Sequence, residues 1–243
     1  MNVYPKLIDG KEQKRFALLI DPDKCINQDI TALIERANQT KVDYIFVGGS
    51  LITQESLGKC LSSIRDNTNI PVILFPGNGS HIHPNADAIL FLSLISGRNA
   101  DLLIGNHVHS APLIKQMQLE TIPTGYMLVE SGRLTTAQYM SGSLPIPHDK
   151  PDVAMATAIA GEMLGLKAIY MDAGSGAQVP ISEKMIRRVK ENINIPLIIG
   201  GGIRDVESAK KAALAGADII VVGNAIEETP HLLKDFAEAI HRL

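Results

Sequence analysis

The sequence predicts an α/β protein built as one (β/α)8 TIM barrel, a single domain over residues 1–243. Three observations carry that prediction. Eight short apolar runs alternate with helical patterns along the 243 residues. Most of these runs are continuous rather than alternating, as expected of parallel strands covered on both faces by helices. The glycines gather after the late runs, where barrels build phosphate sites. A doubly wound open sheet would want its glycine-rich turn after the first strand, and that position reads Asp21-Pro22-Asp23-Lys24.

Taken in order, the expected strands are Phe16–Ile20, Asp43–Val47, Pro71–Phe75, Ala88–Leu92, Ile122–Val129, Ala168–Met171, Pro196–Ile199 and Asp218–Val222. Ile30, Leu33, Ile34 and Ala37 recur at helical spacing after the first. After the third strand the run Pro76-Gly77-Asn78-Gly79-Ser80, with Pro84 beyond it, argues that the helix is missing or replaced by a loop. Ser131 to Pro151 is rich in Ser, Pro and Gly and reads as a long loop. Ser182 is placed to cap a helix carrying Met185, Ile186 and Val189. Asp205 caps the next, with Gly216 as its stop. Thr229-Pro230 opens the last, with Leu232, Leu233, Phe236 and Ile240 on its inner face.

Composition narrows the function classes. Lys+Arg number 23 against 26 Asp+Glu, a net charge of −3, with 45% hydrophobic residues. Enough apolar surface is present for a core, so a disordered chain is excluded. The acidic balance argues against nucleic acid as a partner, so any anion must be held by local groups. Two cysteines, Cys25 and Cys60, argue against a disulfide framework. Met1 to Gly10 has no continuous apolar core and does not read as a secretory signal. The longest apolar run, near Ala88 to Ile95, is too short for a membrane span. A cytoplasmic protein is expected, with contact at a membrane surface left open.

In a barrel the residues just past each strand share one rim, the catalytic one. Gly200-Gly201-Gly202-Ile203-Arg204 and Gly223-Asn224-Ala225 follow the last two strands. Glycine lets backbone N–H groups approach a phosphate with no Cβ in the way, so a phosphorylated ligand is expected there. Asp172, followed by Ala173-Gly174-Ser175-Gly176, is either a base or hydroxyl-binding carboxylate, or a cap. Asp21 and the Ser50 hydroxyl offer hard oxygens that suit Mg²⁺, which takes few protein ligands when phosphates supply the rest; the competing reading of Asp21 is an Asp-Pro turn. His81-Ile82-His83 and His107-Val108-His109 read as solvated loop histidines. No Ser/His/Asp or Cys/His nucleophilic set stands out.

Several motifs in one order now make the chain recognisable. They are Leu19-Ile20-Asp21-Pro22-Asp23-Lys24, Val47-Gly48-Gly49-Ser50, Ile73-Leu74-Phe75-Pro76-Gly77 and Gly125-Tyr126-Met127-Leu128-Val129-Glu130-Ser131-Gly132. Pro145-Ile146-Pro147, Tyr170-Met171-Asp172-Ala173-Gly174-Ser175-Gly176, Gly200 to Arg204 and Gly223-Asn224 follow. Over nearly its whole length the chain resembles the prenylglyceryl phosphate synthases, which include the geranylgeranylglyceryl phosphate synthases. The resemblance implies a Mg²⁺-dependent prenyltransferase joining a polyprenyl diphosphate, the geranylgeranyl one by preference, to sn-glycerol 1-phosphate. It implies Asp21 and Ser50 as metal ligands. It implies Tyr170, Met171, Asp172, Ala173, Gly174, Ser175, Gly176, Gly201, Gly202, Gly223 and Asn224 as the glycerol phosphate site, with Asp172 as base or orienting group. The family motif often has Glu where this chain has Asp172, so the carboxylate reaches one methylene less far.

The prenyl chain needs an apolar groove, for which Leu92, Leu94, Ile95, Tyr126, Met127 and Tyr139 are candidates, each of them equally suited to the core. Arg98, Lys24 and Arg204 are weaker candidates for anion contacts. Barrels of this class suggest a homo-oligomer. The competing readings are another phosphate-binding barrel enzyme, such as an FMN-dependent oxidoreductase or a sugar-phosphate isomerase, and a non-catalytic protein that binds a phosphorylated lipid or metabolite.

Overall fold

Residues 2–8, 13–25 and 29–243 are described by the structure, a computed structural model. Eight parallel strands close on themselves in the order β1 to β8, and β8 pairs back onto β1. They are β1 Arg15–Ile20, β2 Tyr44–Gly48, β3 Val72–Phe75, β4 Ala88–Leu94, β5 Glu120–Leu128, β6 Ala168–Asp172, β7 Leu197–Gly200 and β8 Ile219–Val222. All eight expected runs are strands, with ends that differ by at most two residues.

β2, β3, β6, β7 and β8 are buried along their whole length on both faces, which is why their sequences are almost wholly apolar. In β2, Tyr44 and Phe46 point into the barrel, whereas Ile45 and Val47 pack in the layer under the helices. In β6, Tyr170 points inward and Ile169 and Met171 outward. The same alternation turns Asp172 toward the barrel mouth.

The helices are α1 Tyr4–Ile8, α2 Pro22–Cys25, α3 Ile30–Gln39, α4 Leu57–Arg65, α5 Asn106–Gln116, α6 Thr136–Ser141, α7 Pro151–Met163, α8 Glu183–Lys190, α9 Val206–Leu214, α10 Asn224–Glu228 and α11 Leu232–His241. No helix separates β3 from β4, as the proline and glycine punctuation predicts. Side-chain oxygens of Ser182 and Asp205 accept the amides of Met185 and Ser208 at 3.3 and 2.7 Å, so both expected caps form. Gly216, at φ +121°, carries the chain out of α9 toward β8. The last helix anchors on Phe236, whose ring stacks on Phe16 of β1 with centroids 6.0 Å apart.

Two elements correct the sequence reading. The stretch from Ser131 to Pro151 is not all loop, because Thr135 caps α6 by accepting the Gln138 amide at 3.4 Å. The segment before β1 carries α1, which sits under the barrel floor. There the Glu120 carboxylate, at the foot of β5, accepts the backbone amides of Val3 and Tyr4. Cys25 and Cys60 are both free and buried. Among the described residues no helix is long and apolar enough to cross a membrane.

Candidate active site

The rim is shaped by glycines that no other residue could replace without displacement. A Cβ on Gly201 (φ +77°) would lie 2.5 Å from both Asp172 Oδ1 and the Gly174 nitrogen. A Cβ on Gly77 would lie 2.3 Å from the Gly49 carbonyl oxygen. The β6 and β7 loops therefore crowd together, and so do the β2 and β3 loops.

Two cavities open on this rim. The first, of about 500 Å³, is lined by Asp21, Ser50, Tyr170, Asp172, Gly174, Ser175, Gly176, Gly201, Gly202, Gly223 and Asn224. That brings together every candidate named for metal and glycerol phosphate except Met171 and Ala173. Those two are packed in the layer beneath the helices, and the Ala173 amide donates to the Gly200 carbonyl. Asn224 Nδ2 donates to Ser175 Oγ at 3.1 Å, which ties the β6 and β8 loops across the cradle.

Asp172 is held in this cavity by two hydrogen bonds. Tyr126 Oη donates to its Oδ2 at 2.6 Å and the Gly174 amide to its Oδ1 at 2.7 Å. Burial pushes its carboxyl above the usual carboxylate range, against the pull of those two hydrogen bonds. Burial and the neighbouring Asp172 charge hold the Tyr126 and Tyr170 phenols well above their ordinary pKa, so both stay neutral. A desolvated carboxylate with lone pairs still available is suited to taking a proton from a bound hydroxyl.

The opposite end of the cavity is acidic too. Asp21 Oδ1 accepts the Asp23 amide at 3.0 Å. Glu227 and Glu228 also line the cavity. Glu227 was missed in the sequence because a Glu on a late helix carries no motif. It accepts Lys24 Nζ at 2.5 Å and the Asp21 amide at 3.4 Å, so it joins α10 to α2. Lys24 is thus occupied by Glu227. Arg204 lines the cavity and donates to the Ala177 carbonyl at 2.8 Å. Arg98 lines neither cavity and donates to the Ile95 and Gly97 carbonyls.

Asp23 does more than shape a turn. Its carboxylate accepts the Thr53 amide and hydroxyl, the Gln54 amide and the Ser56 hydroxyl. Desolvation works to raise its pKa, but these hydrogen bonds together hold it below the ordinary value. They fix the segment just after Ser50.

The second cavity, of about 320 Å³, is mostly apolar and runs between the β3–β4 loop, β4 and α5. Of the expected groove residues, Leu92, Leu94 and Tyr126 line it. Met127 is in the layer under the helices, Ile95 packs against that layer and Tyr139 is largely exposed. Phe75, Ile82, Phe91, Leu102, Ile114 and Met140 line it without having been singled out; nothing in their types distinguishes groove from core.

His81 and His107 correct the reading of solvated histidines, for both are buried. His81 Nδ1 accepts the Gly77 amide at 3.1 Å and so clamps the β3 loop. His107 lies edge-on to Phe91 in the groove wall, with centroids 4.4 Å apart, and pairs with Ser93 Oγ at 3.2 Å. Burial lowers the pKa of both.

Glycine-rich loops after β7 and β8 and an apolar groove beside them place a polar and an apolar cavity on one rim of a (β/α)8 barrel, the rim on which such barrels carry their active sites. More particularly, the chain belongs to the PcrB family, whose model matches residues 9–240. It is 53% identical over 241 residues to the geranylgeranylglyceryl phosphate synthase of Chitinophaga pinensis, covering 98% of this chain and 96% of that one. It is 42% identical to that of Pyrococcus horikoshii, covering 96% and 90%. The solved structure of (S)-3-O-geranylgeranylglyceryl phosphate synthase from Thermoplasma acidophilum, in complex with its substrate sn-glycerol-1-phosphate, superposes with a TM-score of 0.91 at 34% identity over all of both chains. Thiamine phosphate pyrophosphorylase from Pyrococcus furiosus, at 13% identity and a TM-score of 0.57 over 99% of this chain and 98% of that one, shares the fold alone.

Proposed function

We propose that the chain is a prenyltransferase that joins a polyprenyl diphosphate to the terminal hydroxyl of sn-glycerol 1-phosphate, releasing diphosphate. One observation carries this reading. The polar and apolar cavities meet, sharing Gly49, Ser50 and Phe75. A ligand with a diphosphate at one end and hydrocarbon at the other fits across that junction.

The polar cavity holds glycerol phosphate in this reading. Gly201, Gly202, Gly223 and Asn224 supply backbone N–H groups to its phosphate. Tyr170, Asp172 and the Gly174–Gly176 loop face its hydroxyls. Asp172 takes the proton of the attacking hydroxyl, and positioning the two reactants at the junction removes most of the entropic barrier.

Mg²⁺ belongs to the proposal and the donor set fits it. Asp21, Asp172, Glu227 and Glu228 line a cavity meant for two anionic substrates, with Arg204 the cationic side chain among its lining residues. Such a site wants a cation. Among the described residues no three His, Cys, Asp or Glu side chains converge into a closed cage. Asp21 and Ser50 would hold the ion, with substrate phosphates and water completing its oxygen shell. When bound, it neutralises the departing diphosphate.

In this reading residues 1–243 act as one catalytic domain, working in the cytoplasm as a homo-oligomer and collecting the prenyl substrate at a lipid surface. The relatives' names and the apolar groove favour prenyl transfer over flavin chemistry, sugar-phosphate isomerisation or mere binding. Incubation of purified protein with radiolabelled glycerol 1-phosphate, Mg²⁺ and prenyl diphosphates of graded length tests it. Label passing into an acid-stable ether lipid is expected; no transfer at any chain length would end the reading.

A further inference from the structure

Phe75, at the end of β3, occupies the crossing between the two cavities. Its shared neighbours there are Gly49, which has no side chain, and Ser50. Its position is fixed from both sides. Gly48 pairs with it in register, and a Cβ on Gly48 would lie 1.9 Å from the Phe75 carbonyl oxygen. Its ring stacks on Tyr170 with centroids 4.9 Å apart and an interplanar angle of 11°, and meets Tyr126 edge-on at 5.9 Å. Tyr126 in turn donates its hydroxyl hydrogen to Asp172 at 2.6 Å, which leaves that ring richer in electrons.

Prenyl transfer through an ionised intermediate places a demand on this spot. The bond between C1 and the diphosphate oxygen breaks with its electron pair leaving on the diphosphate. Positive charge is then shared between C1 and C3 of the prenyl chain. The glycerol hydroxyl oxygen donates a lone pair to C1, and its proton passes to Asp172. A prenyl diphosphate laid across the junction puts C1 where hydrocarbon meets diphosphate, which is beside Phe75. Water at that point would trap the cation as an alcohol. An aromatic face offers negative potential without a nucleophilic lone pair.

We propose that Phe75 is a catalytic residue that stabilises the allylic cation through the face of its ring. The inference rests on the prenyl-transfer reading above.

The test replaces Phe75 with phenylalanines carrying one, two and three fluorines, which nearly keep its shape while draining the ring's negative face, and separately with leucine. Single-turnover rate, glycerol phosphate affinity by calorimetry, and the fraction of prenyl alcohol formed are measured together. The chemical step should slow with each fluorine, by about tenfold from none to three, at constant glycerol phosphate affinity. Phe75→Leu should slow it at least as much and raise the share of prenyl alcohol. A rate flat across the fluorine series, with leucine raising only the KM for prenyl diphosphate, would make Phe75 a mere wall and overturn the inference while leaving prenyl transfer intact. A wild-type protein that transfers no prenyl group would overturn both.

Discussion

The two cavities of one barrel rim are built by different physics. The polar one is made of glycines at positive φ together with carboxylates at strand ends and on α10. The apolar one is made of ordinary core side chains drawn back from one another where the helix after β3 is missing. Hydrogen-bonding sites tolerate few residue types at each position, whereas a greasy groove tolerates many. Substitutions on the polar side should therefore be severe and confined to glycerol phosphate, metal and proton transfer. Those on the apolar side should be mild and show up as chain-length preference.

The largest expected effect is at Asp21. Asp21→Ala should slow transfer by at least about 10³-fold through loss of charge stabilisation on the leaving group, while the melting temperature stays near that of the wild type. Near-wild-type turnover would remove Asp21 from the metal site.

Asp172→Asn should lower kcat by about 10²-fold, the scale of a lost general base, and bind glycerol phosphate much as before. The pH profile sharpens this. Asp172 must be ionised to accept a proton, and burial raises its pKa. Turnover should thus fall as pH drops through that raised value, at a higher pH than an ordinary carboxylate would give, and the limb should vanish in the Asn variant. The same shift sets the sign for stability. A carboxyl whose pKa is raised by folding works against the fold wherever it is ionised, so Asp172→Asn should not lower the melting temperature at neutral pH. Equal kcat in the two proteins would reduce Asp172 to a structural role.

Gly201→Ala should weaken glycerol phosphate binding by about 30-fold, on the order of one or two charge-assisted hydrogen bonds, because the new methyl group meets Asp172 and Gly174. Calorimetry with glycerol phosphate alone reads this directly. The smallest effect is expected in the groove. Leu102→Trp should shift preference toward shorter prenyl diphosphates by about tenfold, the size of a hydrophobic pocket's discrimination, with glycerol phosphate affinity unchanged. A change in glycerol phosphate affinity instead would mean that the two cavities are not independent.

This contrast explains what could be read without a structure. The eight strands were legible because parallel strands buried on both faces are continuously apolar. That Asp21, Ser50, Asp172 and the glycines would share one rim was legible because each lies at or just past the end of a strand. The surroundings of Glu227, His81 and Phe75 were not, although His81 and Phe75 stand in stretches the sequence singles out. Glu227 becomes meaningful only when α10 brings it to Lys24, and His81 only when its ring meets the Gly77 amide. The groove was half legible: Leu92, Leu94 and Tyr126 face it, but Met127, next to Tyr126 on β5, falls on the other face of the sheet. α1 and α6 escaped notice because one is five residues long and the other six, too short for periodicity to register.

The floor of the barrel has a consequence for how the molecule comes into being. The backbone amides of Val3 and Tyr4 are satisfied by Glu120, more than a hundred residues downstream. The segment that carries α1 can therefore be fastened to the floor only once the fifth strand has been made, so one edge of the barrel waits on a residue far along the chain.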